Sequence, residues 1–148
     1  MIYKLDGGIF TAPFGPNEKF LAKLYVMNSI LVVEDELIIL ELITEVLEMY
    51  GYRVRAFSSA DAAWTFIKSQ DHPPRLLITD LRMPGNMDGI ELVKRVQDIQ
   101  PQTPILVASG YHGHSELLND RKVFWLPKPF NINELHAICR KLAPLSKD

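Results

Sequence analysis

The sequence predicts an α/β fold: a doubly wound parallel sheet of five strands with helices on both faces. Two observations predict it. Short, continuously apolar runs alternate with segments of helical spacing, and such runs suit strands buried on both faces. Acidic and polar residues then gather just after the runs, where ligands bind in open sheets of this kind.

The elements follow in order. Ile30-Leu31-Val32-Val33 is the first strand, apolar and β-branched. Residues 36–50 carry Ile39, Leu42, Ile43, Val46, Leu47 and Tyr50 at helical spacing, and Gly51 stops the helix. Residues 53–57 read as the second strand. Ser58 or Ser59 caps a helix to about Gln70, with Ala62, Ala63, Phe66 and Ile67 facing inward. His72-Pro73-Pro74 breaks the chain, and residues 75–79 form the third strand. Asp88, with Glu91 three positions on, reads as a capping box opening a helix that ends before Pro101. Residues 104–108 are the fourth strand, and a polar segment follows with one short helix around residues 115–119. Residues 123–126 are the fifth strand. Asn131 and Glu134 box the last helix, which buries Leu135, Ile138, Cys139 and Leu142.

Residues 1–28 read as an N-terminal extension to a domain spanning 29–148. The extension is rich in turn formers, and its first helical spacing comes at residues 18–24. Two readings stay open: a start assigned upstream of the true one at Met27, or a real arm that is disordered or packs on the domain or a partner. The lack of any motif favours the first.

The 148 residues suit one domain, and 47% hydrophobic content supplies a core. A net charge of −2 lacks the basic field of a nucleic-acid binder, so no direct nucleic-acid partner is expected. Cys139 is the one cysteine and excludes an intrachain disulfide. No apolar run has spanning length, and no secretory signal opens the chain. The expectation is a cytoplasmic protein with no membrane partner.

The strand ends carry the chemistry. The first strand ends in Glu34-Asp35, the third in Asp80 and the fourth in Ser109-Gly110, while Lys128 follows the fifth. A like-charge pair about 4 Å apart costs roughly 4 kcal/mol at an effective dielectric of about 20. A raised pKa or a cation relieves that cost, and Mg2+ suits a partly hydrated site with one or two carboxylates. Asp80 is then a nucleophile for a phosphoryl donor, with Lys128, Ser109 and backbone N–H groups facing the transferred oxygens.

These residues resemble the response-regulator receiver family of two-component signalling. The resemblance rests on residues 30–36, the segment Thr79-Asp80-Leu81-Arg82-Met83-Pro84-Gly85-Asn86-Met87-Asp88-Gly89, Ala108-Ser109-Gly110 and Pro127-Lys128-Pro129-Phe130, and covers residues 29–148. Ser109-Gly110-Tyr111 and Leu126-Pro127-Lys128-Pro129 look like receivers attached to hybrid sensor kinases and like some stand-alone receivers. It implies a flavodoxin-like (βα)5 sheet in strand order 2-1-3-4-5. It implies Asp80 as phosphoacceptor and Mg2+ held by Glu34, Asp35, Asp80 and the Arg82 backbone carbonyl. It implies Ser109 and Lys128 as phosphoryl-stabilising switch residues, a cis bond before Pro129, and Trp125 at the switch aromatic position. Arg82 and Tyr111 are placed near the phosphoryl group, where they hinder attacking water and lengthen its lifetime. The partners implied are a histidine kinase or histidine phosphotransfer protein and a target protein. Phosphorylation switches the face of the fourth helix, fifth strand and last helix to bind that target, or to form a homodimer. Such a domain is not a turnover enzyme, though it has weak autophosphorylation and autodephosphorylation activity. Gly85 lengthens the Asp80 loop relative to many members, and the segment between Ser109 and Lys128 is shorter than usual.

Each residue also has a plainer reading. Asp35 can cap the first helix, Asp80 can make an Asx-turn, and Lys128 can be an exposed loop lysine. All three readings must hold together, at strand ends, to remove the site. Asp88 is a cap, Cys139 core, Trp64 a packing residue and the His112/His114 pair a solvated loop. Two other functions compete: an unphosphorylated interaction domain and a Mg2+-dependent phosphatase. Leu81-Arg82 after Asp80 lacks the second aspartate that the phosphatase motif wants.

Overall fold

The computed structural model describes residues 2–5, 8–11, 29–110 and 122–145. At the amino end, β1 (Ile2–Leu5) pairs antiparallel with β2 (Gly8–Thr11), Ile2 opposite Thr11 and Leu5 opposite Gly8. This hairpin was not expected from the sequence, although an Asp-Gly pair between two short runs is a favoured hairpin signal. The helical spacing at residues 18–24, the short helix expected at 115–119 and the His112/His114 pair lie outside the described residues.

The main sheet is five-stranded and parallel. It comprises β3 (Ser29–Val33), β4 (Arg53–Phe57), β5 (Leu76–Thr79), β6 (Ile105–Ser109) and β7 (Val123–Pro127), in the order β4-β3-β5-β6-β7. Counted from β3, that is the expected order 2-1-3-4-5. Every residue of β3, β5 and β6 is buried, whereas β4 and β7 leave positions exposed. The continuous apolar runs are thus the interior strands, covered on both faces.

Four described helices cover the sheet: α1 (Leu37–Met49), α2 (Ala60–Ser69), α3 (Gly89–Ile99) and α4 (Ile132–Leu142). Alternate strand residues point to opposite faces and build two cores. Leu31, Val33, Leu77 and Val107 meet Ala63 and Phe66 of α2 and Leu92 and Val96 of α3. Ile30, Val32, Ile78 and Leu106 meet Ile43 and Leu47 of α1 and Leu135 and Cys139 of α4.

The helix ends follow their capping chemistry. The Ser59 side chain accepts from Ala62 N at 3.1 Å. Asp88 accepts from Glu91 N at 2.9 Å, but the Glu91 carboxylate turns to Arg95 instead of closing the box. Asn131 and Glu134 form the full reciprocal box. Helix α1 starts one residue later than expected, with Glu36 in the cap position and no side-chain cap bond. One inward assignment is corrected, and one apolar position of the helical spacing lies outside the buried stripe. Ala62 is exposed, because Ala60, Ala63, Phe66 and Ile67 complete the buried stripe of α2. Leu42 is 48% exposed, because the buried stripe of α1 runs through Leu40, Ile43, Val46 and Leu47.

Candidate functional site

Register brings the strand ends to one edge. Val33 pairs with Thr79 and Ser109 with Pro127, so the residues that follow emerge level with one another. Backbone bonds extend the ladder past the strands: Asp80 N donates to the Val33 carbonyl at 3.1 Å, and Lys128 N to the Ser109 carbonyl at 3.2 Å. The Lys128–Pro129 bond is cis, as expected.

The side chains converge there. The Lys128 ammonium donates to Asp80 Oδ2 at 2.8 Å and to Glu34 Oε1 and Oε2 at 3.1 and 3.0 Å. Leu81 N donates to Asp80 Oδ1 at 2.6 Å. Ser109 is buried and hydrogen-bonds the Asp80 carboxylate through its side chain. Glu34, Asp35 and Asp80 each bring a carboxylate oxygen within 4.8 Å of the others.

Charge balance follows from burial. Glu34 is only 2% exposed, and desolvation pushes its carboxyl from 4.5 up to about 7 despite contact with Lys128; the Asp80 charge pushes the same way. Burial also works to raise Asp80. The hydrogen bonds from Lys128 and Ser109, the Lys128 charge and Leu81 N–H outweigh it and hold that carboxyl below its ordinary value. Burial works against the Lys128 ammonium too, but its bonds to Asp80 and Glu34 prevail and raise it.

The donor set fits a hard divalent cation. Three carboxylates cluster, two of them bonded to the Lys128 ammonium, and carboxylate oxygens are the ligands Mg2+ takes. Asp35 is not the helix cap, since Glu36 fills that position.

Of the residues singled out from the sequence, Glu34, Asp35, Asp80, Ser109 and Lys128 come together. Arg82 lies in the adjoining loop with its side chain exposed. Trp125 sits mid-β7, half-buried against the core beneath α2 and α3. Tyr111 lies outside the described residues. Two residues were missed. Gly89 packs so close that a Cβ there would collide with the Asp80 backbone carbonyl. Asp61, on α2, accepts from Met87 N at 3.3 Å in the Asp80 loop. Neither was visible as such: Gly89 reads as a helix start and Asp61 as a first-turn acid.

Comparison with known proteins agrees with this geometry. The family model for the response regulator receiver domain matches residues 30–140. The response regulator receiver protein CpdR of Brucella abortus (strain 2308) is 35% identical over 114 residues, covering 74% of this chain and 91% of that protein. Sporulation initiation phosphotransferase F of Bacillus subtilis (strain 168) is 30% identical over 128 residues, 83% of this chain and 100% of that protein. Among solved structures, the receiver domain of NtrX from Brucella abortus superposes with a TM-score of 0.68 at 29% identity, covering 80% of this chain and 100% of that one.

Proposed function

The chain belongs to the response regulator receiver family of two-component signalling, and on that premise we propose that it accepts a phosphoryl group on Asp80 from a histidine kinase or histidine phosphotransfer protein. A receiver is a signalling domain, not a classical enzyme, and residues 29–148 form the signalling unit. The observation that carries the reading is the Lys128 ammonium shared by Asp80 and Glu34 at the head of the sheet.

Asp80 is kept ionised at neutral pH and so keeps a lone pair for attack. A new bond forms between an Asp80 carboxylate oxygen and phosphorus. The bond from phosphorus to the donor's imidazole nitrogen breaks, and that nitrogen keeps the electron pair and takes a proton from solvent. Glu34, Asp35, Asp80 and the Arg82 carbonyl would hold Mg2+, which when bound offsets negative charge on the phosphoryl oxygens. Leu81 N–H, Lys128 and Ser109 supply donors to those oxygens. Arg82 and Tyr111 slow attack by water. The added dianion draws Ser109 and Lys128, and with them the segments flanking β7, so that the face beside β7 and α4 changes its affinity for a target protein or a second copy. Among the described residues no helix is long and apolar enough to cross a membrane, in keeping with a cytoplasmic setting.

Intact mass tests the chemistry. Wild type and Asp80→Asn are exposed to acetyl phosphate with and without Mg2+. The expected result is a gain of one phosphoryl group that needs Mg2+ and is absent in Asp80→Asn. No gain in a folded, Mg2+-binding protein returns the reading to an unphosphorylated interaction domain. A gain that persists in Asp80→Asn assigns the wrong nucleophile.

A further inference from the structure

The loop joining β5 to α3 carries Leu81 N, which donates to Asp80 Oδ1 at 2.6 Å. Its ends are held by Gly89 N donating to the Leu81 carbonyl at 2.9 Å and by the Asp88 cap. Met83 and Met87 anchor it from below in the α2–α3 core. From the side it meets Asp61, in the first turn of α2. Asp61 Oδ2 accepts from Met87 N at 3.3 Å, across 26 positions of sequence. Gly85, with φ +121°, turns beside the same oxygen, and a Cβ on it would stand 2.6 Å from Asp61 Oδ2. The glycine that lengthens the loop is therefore the residue that makes room for the carboxylate. Any side chain at Gly85 would be strained by that φ and would push Asp61 off Met87.

We propose that Asp61 is a positioning residue for the phosphoacceptor loop: its carboxylate oxygen clamps Met87 N against Gly85 and so keeps Leu81 N aimed at Asp80. The proposal rests on the receiver reading. It competes with a simpler role, since a negative charge in the first turn stabilises a helix by its dipole alone. The two roles separate by substitution. Asn keeps an acceptor oxygen at the same reach but loses the charge. Glu keeps the charge but carries the oxygen one methylene too far.

The experiment measures phosphorylation rate from acetyl phosphate with Mg2+ by intact mass, with amide exchange at Met87 alongside, in wild type, Asp61→Asn, Asp61→Glu, Asp61→Ala and Gly85→Ala. A lost clamp costs about tenfold in rate. Asp61→Asn should stay within about twofold of wild type. Asp61→Glu, Asp61→Ala and Gly85→Ala should be about tenfold slower, with faster exchange at Met87. A wild-type rate in Asp61→Glu beside a slow Asp61→Asn reduces Asp61 to a helix charge and overturns the proposal. So does a wild-type rate in Asp61→Ala. Should Asp61→Ala fail to fold, the Asn and Glu pair carries the test. If wild type itself takes no phosphoryl group, the receiver reading falls separately, and unchanged Met87 exchange in Asp61→Glu then overturns the clamp.

Discussion

A single ammonium, Lys128, serves two carboxylates whose own environments pull apart: Glu34 is driven up by burial while Asp80 is held down. This asymmetry keeps Asp80 ionised at neutral pH, while a cation beside Glu34 would favour its charged form. Arg82 is exposed two positions after Asp80, and on the proposed reading it slows attack by water on the phosphorylated carboxylate. Arg82→Ala should therefore dephosphorylate several-fold faster, measured by the decay of the phosphorylated mass; an unchanged rate removes that role. Cys139 marks the opposite case, a buried group outside the site. Desolvation pushes its thiol from 9.0 up to about 12. The folded state holds this proton where the unfolded chain releases it. The contribution to stability is complete below pH 9 and is lost as pH rises toward 12. Denaturant unfolding should show a fall over that window that is shallower in Cys139→Ala.

At the scale of elements, the helix starts show which local rules hold and which yield. The Ser59, Asp88 and Asn131 caps each satisfy a backbone donor three positions on, as their residue types require. Helix α1 begins at the site without such a cap, and Glu34 and Asp35 just before it belong to the carboxylate cluster. Helix α3 begins on Gly89 for a reason that capping does not give. Helix propensity alone favours Ala over Gly by about 1 kcal/mol, yet a Cβ here meets the Asp80 carbonyl. Gly89→Ala should destabilise the protein by about 3 kcal/mol, the scale of overpacking, and lower phosphoryl uptake with it. A stabilised variant by equilibrium unfolding would show that the loop simply moves aside. The missed exposure of Leu42 and Ala62 has a similar origin. Periodicity finds an apolar stripe, but a stripe wider than the contact leaves residues at its margin in water.

For the whole molecule, parallel topology is what turns separate strand ends into a site. The order β4-β3-β5-β6-β7 puts Asp80 between Glu34 and Ser109 and brings Lys128 in from the edge strand. The same edge strand carries Trp125, three residues before Lys128 and packed on the core shared by α2 and α3. On the proposed reading, a pull on Lys128 is passed along β7 to the packing of Trp125. In a Trp64→Phe background, fluorescence should change when a beryllofluoride phosphoryl mimic and Mg2+ are added together. A silent Trp125 would detach β7 from the switch.

Much of this was legible from residue order. The alternation of apolar runs with helical spacing specified a parallel doubly wound sheet, because only full burial on both faces tolerates strands such as Ile30-Leu31-Val32-Val33. Asp80, Glu34, Asp35, Ser109 and Lys128 were legible because a parallel sheet delivers every strand end to one edge. The tertiary structure alone decided how they divide one ammonium, since that depends on burial and on distances between elements far apart in sequence. It alone decided that Asp61 meets Met87 and that Gly89 must lack a side chain. Both are contacts between backbone and a neighbouring element, and no local pattern of residue types encodes where another element's backbone will lie.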